Sequence, residues 1–153
     1  VSTLATNAYV IEYGHLPLAA TAVDNYLRAG TRRLKAWIGA AIYAAALAEA
    51  GALTDRYCAL RDAEALLAKY YLLPEINTVI AGNGGVINSI TTGGVNLPGQ
   101  TTRYYMPNDI EKERSRLLED AYALTKPYIP AGQINPVTTA VIFPLRDNVA
   151  EGL

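Results

Sequence analysis

Cysteine and histidine are nearly missing from this chain, with one of each, Cys58 and His15. A lone cysteine excludes an internal disulfide and fits folding in a reducing compartment. One histidine and one cysteine cannot build a His-rich or Cys-rich metal centre. His15 follows Gly14 and precedes Pro17 by two residues, so it reads as a turn histidine. Cys58 reads as a buried structural thiol. A nucleophilic Cys58–His15 pair is conceivable in geometry, but no oxyanion or activating motif accompanies it.

Charge is also scarce. Asp, Glu, Lys and Arg make up 18% of the chain, against a usual share of about 25%. Either the core is large or other subunits cover part of the surface. The formal net charge of −1 sets up no global field toward nucleic acid or anionic membranes. Long hydrophobic runs are absent too. The longest, Ala36–Ala48, is mostly alanine and falls short of the roughly 20 residues that a bilayer requires. Val1-Ser2-Thr3 has neither a basic stretch nor an apolar one after it, so no secretory leader is expected. Phenylalanine occurs once, whereas tyrosine occurs 11 times.

What is present is 153 residues, 51% hydrophobic, a length that suits one domain. Such a chain can bury roughly 70% of its unfolded surface. Its pattern changes along its length. Val1–Tyr13 is weakly patterned, with a short strand suggested at Tyr9-Val10-Ile11. Pro17 suits the first turn of a helix to about Ala29, which Gly30 would stop. Thr31 would then cap a second helix running to Ala50, with one stripe of Leu34, Trp37, Ile38, Ala41, Ile42 and Ala45. Its opposite side is apolar as well, so this helix should be buried all round. Thr54 should cap a third helix. Its core face is Leu60, Ala63, Leu67 and Tyr70, and its outer face is Asp55, Asp62 and Lys69. Pro74 should stop or kink it. Glu75–Ala81 reads as a short helical piece or as extended chain.

The pattern then turns β-like. Gly82-Asn83-Gly84-Gly85 reads as a flexible hinge, since the Lys-Ser/Thr pair of a phosphate loop is missing. Val86–Thr92, a Gly93-Gly94 turn and Val95–Leu97 predict a hairpin, and Thr101–Tyr105 a third strand. Asn108 and Glu111 form a capping box for a last helix, with Ile110, Leu117, Leu118, Ala121 and Leu124 as its stripe. Glu111/Arg114, Glu113/Arg116 and Arg116/Glu119 are opposite charges three apart. Interleaved with cations, the carboxylates Glu111, Glu113, Glu119 and Asp120 read as a charged face rather than a hydrolase pair. Pro127 ends the helix. Val137–Phe143 is an extended apolar segment that must pair with the hairpin, pair with another subunit, or stay mobile. The expectation is a mainly α fold: a bundle of about four helices over 1–128, with a β-hairpin inserted at about 82–106. An extended C-terminal arm occupies 129–153.

Two groups of residues suggest contacts. Arg32, Arg33 and Lys35 crowd the first turn of the second predicted helix, against the helix dipole, which hints at acidic partners or passing DNA phosphates. Snorkelling at a surface is the plainer reading. The adjacent pairs Tyr70-Tyr71 and Tyr104-Tyr105 would each turn one ring toward a partner, though less strictly on a helix than on a strand. Val86, Ile90, Val95, Val137, Val141 and Phe143 complete the candidate interface.

The layout itself resembles a known family. Paired helices lead into Ala63–Pro74 (AEALLAKYYLLP). A Gly-rich β excursion follows, and a charged helix closes with Leu117–Tyr128 (LLEDAYALTKPY). This is similar to the head–tail connector (adaptor) proteins of tailed bacteriophages. The resemblance covers Pro17–Tyr128 in layout and texture, without an invariant motif. The β excursion and the tail are longer than a minimal adaptor needs. It implies a non-enzymatic virion protein, made in the bacterial cytoplasm and located in the neck. It would form a homo-oligomeric ring, usually of twelve subunits, between the portal protein and the next neck or tail protein. DNA would pass only in transit, with no cofactor, metal or membrane. The alternatives are a tail-completion or decoration protein, a helical domain holding a small apolar ligand among Trp37, Tyr43, Tyr57 and Tyr70, and, last, an enzyme.

Overall fold

The computed structural model describes residues 2–82 and 107–131, and these are mainly helical. Six α-helices run in the order α1 (Asn7–Gly14), α2 (Asp24–Ile38), α3 (Ala40–Ala48), α4 (Asp55–Leu72), α5 (Ile76–Gly82) and α6 (Pro107–Thr125). Short 3₁₀ turns at Ala20–Val23, Leu73–Glu75 and Lys126–Tyr128 join or extend them. The predicted hairpin and the arm beyond Ala131 lie outside the described residues. With them lie Val86, Ile90, Val95, Tyr104, Tyr105, Val137, Val141 and Phe143.

Helix α4 is the centre. α2 packs most extensively against it, then α6, with α1 also in contact. It therefore buries a wide arc: Leu60, Ala63, Glu64, Ala65, Leu67, Ala68 and Leu72. On one side Leu72, Leu73 and Ile76 meet Val10, Leu16, Val23, Leu27 and Leu117. On the other, Leu60, Ala63 and Leu67 meet Leu34, Trp37, Ile38, Tyr43 and Ala121, with Leu4 added from the N-terminal segment. Thr54 caps α4 as expected, its hydroxyl accepting from the Tyr57 N–H at 3.2 Å, worth about 1 kcal/mol. Pro74 ends α4 in a 3₁₀ turn, and α5 carries the helical path on to Gly82.

Several local expectations are corrected. Tyr9–Ile11 is not a strand but the middle of α1. The Thr6 hydroxyl accepts from the Tyr9 N–H at 3.1 Å and starts the helix there. Pro17 does not open a helix; the chain stays irregular until Ala20, and α2 begins at Asp24. Gly30 is not a stop. α2 runs straight through it, because α4 lies so close that a Cβ at Gly30 would come within 2.9 Å of the Ala68 nitrogen. The break falls instead at Gly39, whose φ of +86° suits glycine. Thr31 is thus a mid-helix residue rather than a cap. Asn108 likewise lies inside α6, which opens with Pro107 in the first turn.

The alanine-rich helix is not buried all round. Only Tyr43 and Ala46 of α3 are buried, and Ala40, Ala41, Ala44 and Ala48 are exposed. No helix among the described residues is long and apolar enough to cross a membrane.

Candidate functional site

A polar patch spans α2, α4 and the N-terminal segment, and its deepest member is Glu64. This carboxylate is 0% exposed. Three neutral groups converge on it. The Ala5 N–H donates to Oε2 at 2.6 Å, the Tyr43 hydroxyl donates to Oε1 at 2.6 Å, and the Thr31 hydroxyl lies 2.7 Å from Oε1. Burial pushes the Glu64 pKa up, against the opposing pull of these hydrogen bonds. The same burial, with Glu64 beside it, raises the Tyr43 phenol.

Thr31 has one hydroxyl proton and two acceptors in reach, Glu64 and the Leu27 carbonyl at 2.9 Å. Each polar group of the cluster has a partner, which is the condition for burying polar atoms cheaply.

The network ties down the N-terminal segment. The Leu4 N–H donates to the Tyr43 oxygen at 3.1 Å, and the Tyr57 hydroxyl donates to the Leu4 carbonyl at 3.3 Å. Leu4 and Ala5 are both buried.

Above this network opens a concavity of about 600 Å³. One wall is α2, with Arg28, Arg32 and Lys35 at i, i+4 and i+7, one helical face. Thr3 and Asn7 stand on the other side, and the buried Leu27 and Thr31 form the floor. Asp24 pairs with Arg28 at 3.0 Å. The Lys35 ammonium lies 4.5 Å from the centre of the Tyr43 ring, an attractive placement for a cation.

Of the predicted cationic group, then, Arg32 and Lys35 come together and Arg33 does not. About 100° further round the helix, Arg33 reaches the Tyr71 hydroxyl at 3.3 Å and lies 5.8 Å from the Trp37 ring centre. Tyr70 and Tyr71 meet edge to face at 5.2 Å, and Arg114 of α6 covers Tyr70 at 4.3 Å. Both rings are half-buried against arginines of their own chain. Trp37 and Tyr43 belong to one core cluster with Tyr57 packed against it, and Tyr70 packs against the other. The four aromatics expected around an apolar ligand therefore do not line one pocket.

The remaining tyrosines follow the same logic. Tyr9 stacks on Tyr13 at 5.5 Å, lies under Arg61 at 4.2 Å, and donates to Asp62 at 2.5 Å. Burial, with Asp62 beside it, pushes the Tyr9 phenol up to about 12. On α6, Glu113 accepts from Arg116 at 2.6 Å and from Lys69 at 3.3 Å. The Arg116 hydrogen bond holds its pKa low. Arg116 takes Asp120, not Glu119, as its second partner. Cys58 is half-buried rather than buried, its thiol near the Leu53 carbonyl at 3.5 Å. His15 caps the end of α1 in the left-handed conformation. Among the described residues, no group of three or more His, Cys, Asp and Glu side chains is placed to hold a metal ion.

Glu64 is not among the residues that the sequence pattern singles out, yet the sequence carries a signal for it. Its helical neighbours at i−4, i+3 and i+4 are Leu60, Leu67 and Ala68, so it is a charge set inside an apolar arc. No protein-family model matches this chain, and no curated protein or solved structure does either.

Proposed function

We propose that this chain is a structural, non-catalytic subunit of a bacteriophage-type virion, an adaptor that forms a ring between portal and tail and extends the DNA channel. Its partners are copies of itself, the portal protein and the next neck or tail component. The resemblance in layout to head–tail connectors supplies the identity of the particle. The observation that carries the assembly reading is α3. A helix this apolar normally lies in a core, yet here it turns Ala40, Ala41, Ala44 and Ala48 to solvent. Ala36 and Leu53 on either side of α3 are exposed as well, and Leu53 is 61% exposed with a φ of +49°. Holding a bulky side chain outward in the left-handed region costs about 1–2 kcal/mol. A neighbour packed on small residues can approach the backbone closely, and a ring needs two unlike faces that meet head to tail.

The test is sedimentation of the purified chain, alone and mixed with portal rings, beside the variant Ala44→Glu. Glutamate at an exposed helix position costs only about 0.5 kcal/mol, so the fold survives. The parent should form rings or bind the portal, and the variant should do neither. A parent that stays monomeric and ignores the portal sinks the reading, as does a variant that assembles equally well.

A further inference from the structure

We infer that the concavity between the N-terminal segment and α2 is a binding site for phosphoryl groups, held by Arg28, Arg32 and Lys35. Three cations share one face of α2 at spacings of four and three residues. Like charges so spaced repel one another and destabilise a helix. Asp24 relieves Arg28. Among the described residues, neither Arg32 nor Lys35 has a carboxylate within ion-pair distance. The cost is left standing in the unliganded chain, and an anion in the concavity removes it.

The ligand's class follows from the number and shape of the donors. A guanidinium presents a planar fork that grips phosphate through two parallel hydrogen bonds, and an ammonium acts as a point charge beside it. Two guanidinia and one ammonium on one face match a group with three terminal oxygens and about two negative charges. A single carboxylate offers two oxygens and one charge and leaves a cation unanswered. The Asn7 amide stands on the facing wall as a neutral donor. Lys35 is held over the Tyr43 ring, and Tyr43 is itself fixed by Glu64 and Leu4, so one of the three cations is positioned in advance. The volume of about 600 Å³ exceeds that of a bare phosphate and leaves room for what the phosphate is attached to. Two sources share this chemistry: a small phosphorylated molecule and the backbone of a nucleic acid.

The inference is independent of ring assembly, and calorimetric titration of the full chain tests it. The probes are inorganic pyrophosphate and a short DNA duplex, each at low and moderate salt. Arg32 is exposed and Lys35 half-buried, so the double variant Arg32→Ala/Lys35→Ala should keep its helical circular dichroism. It should weaken binding by at least about tenfold. Arg33→Ala, on the other flank, should leave binding within about twofold, since rim charges off the site contribute little. Pyrophosphate binding lost in the double variant assigns the site to small phosphorylated ligands. Duplex binding alone, lost in the same variant and steep in salt, assigns it to a nucleic-acid backbone. If neither probe binds, or if Arg33→Ala weakens binding as much as the double variant, the inference is wrong.

Discussion

Glu64 shows how one side chain can set both a structural tie and a pH dependence. An unfolded glutamate titrates near 4.3, and burial raises the folded value above that. Below the unfolded value both states are protonated, and Glu64 costs nothing. As pH rises from there to the folded value, the native state keeps a proton that the unfolded state has lost. Stability therefore falls across that window and levels off above it. Glu113, with its lowered pKa, acts in the opposite direction: its contribution is present above the unfolded value and fades in acid. A Glu64→Gln variant isolates the first effect. Urea unfolding from pH 4 to 8 should show the parent losing stability relative to the variant as pH rises. At neutral pH Glu64→Ala should cost about 3 kcal/mol, because the Ala5 N–H and Tyr43 hydroxyl lose a buried acceptor. Amide exchange at Leu4 and Ala5 should accelerate in the same variant, since their anchor is gone.

At the scale of elements, the contact between α2 and α4 decides more than any propensity. Gly30 lies in the middle of a helix, where glycine is otherwise unfavourable by about 1 kcal/mol. It is tolerated because backbone faces backbone. A Cβ there would meet the Ala68 nitrogen at 2.9 Å and the Glu64 carbonyl oxygen at 3.1 Å. Gly30→Ala should therefore destabilise by about 1–3 kcal/mol, although alanine is the better helix former. Gly51, with nothing within 4 Å of a built Cβ, is the control, and its alanine variant should stay within about 0.5 kcal/mol of the parent. Thermal melts of the two variants settle the comparison. Equal melting temperatures would mean that the helices separate more easily than this packing implies.

At the scale of the whole molecule, the two core clusters draw on the N-terminal segment, α1 to α4, Ile76 with Val79 at its edge, and α6 with the residues just after it. The residues that build these clusters all precede Asn135, so deleting Asn135–Leu153 should preserve the helical circular dichroism signal. Under the ring reading it should also weaken assembly, seen as a shift toward slower-sedimenting species. Loss of the helical signal would place part of the core in the arm.

The sequence by itself determined what depends on neighbours along the chain: a mainly helical content, the Thr54 cap, the turn at Pro74, and the Glu111/Arg114 and Glu113/Arg116 pairs of α6. Caps and i, i+3 spacings act within a turn or two, so they can be read without a fold. Tertiary structure alone decided the rest. It carried α2 through Gly30 and moved the break to Gly39. It parted Arg32 from Arg33, and it exposed the alanines of a helix whose pattern reads as core. It also closed Ala5, Thr31, Tyr43 and Glu64 into one network across intervals of up to 59 residues. Each of these depends on which backbone comes to lie against which, and burial and hydrogen bonding across space outweigh the weak local preferences that sequence patterns record.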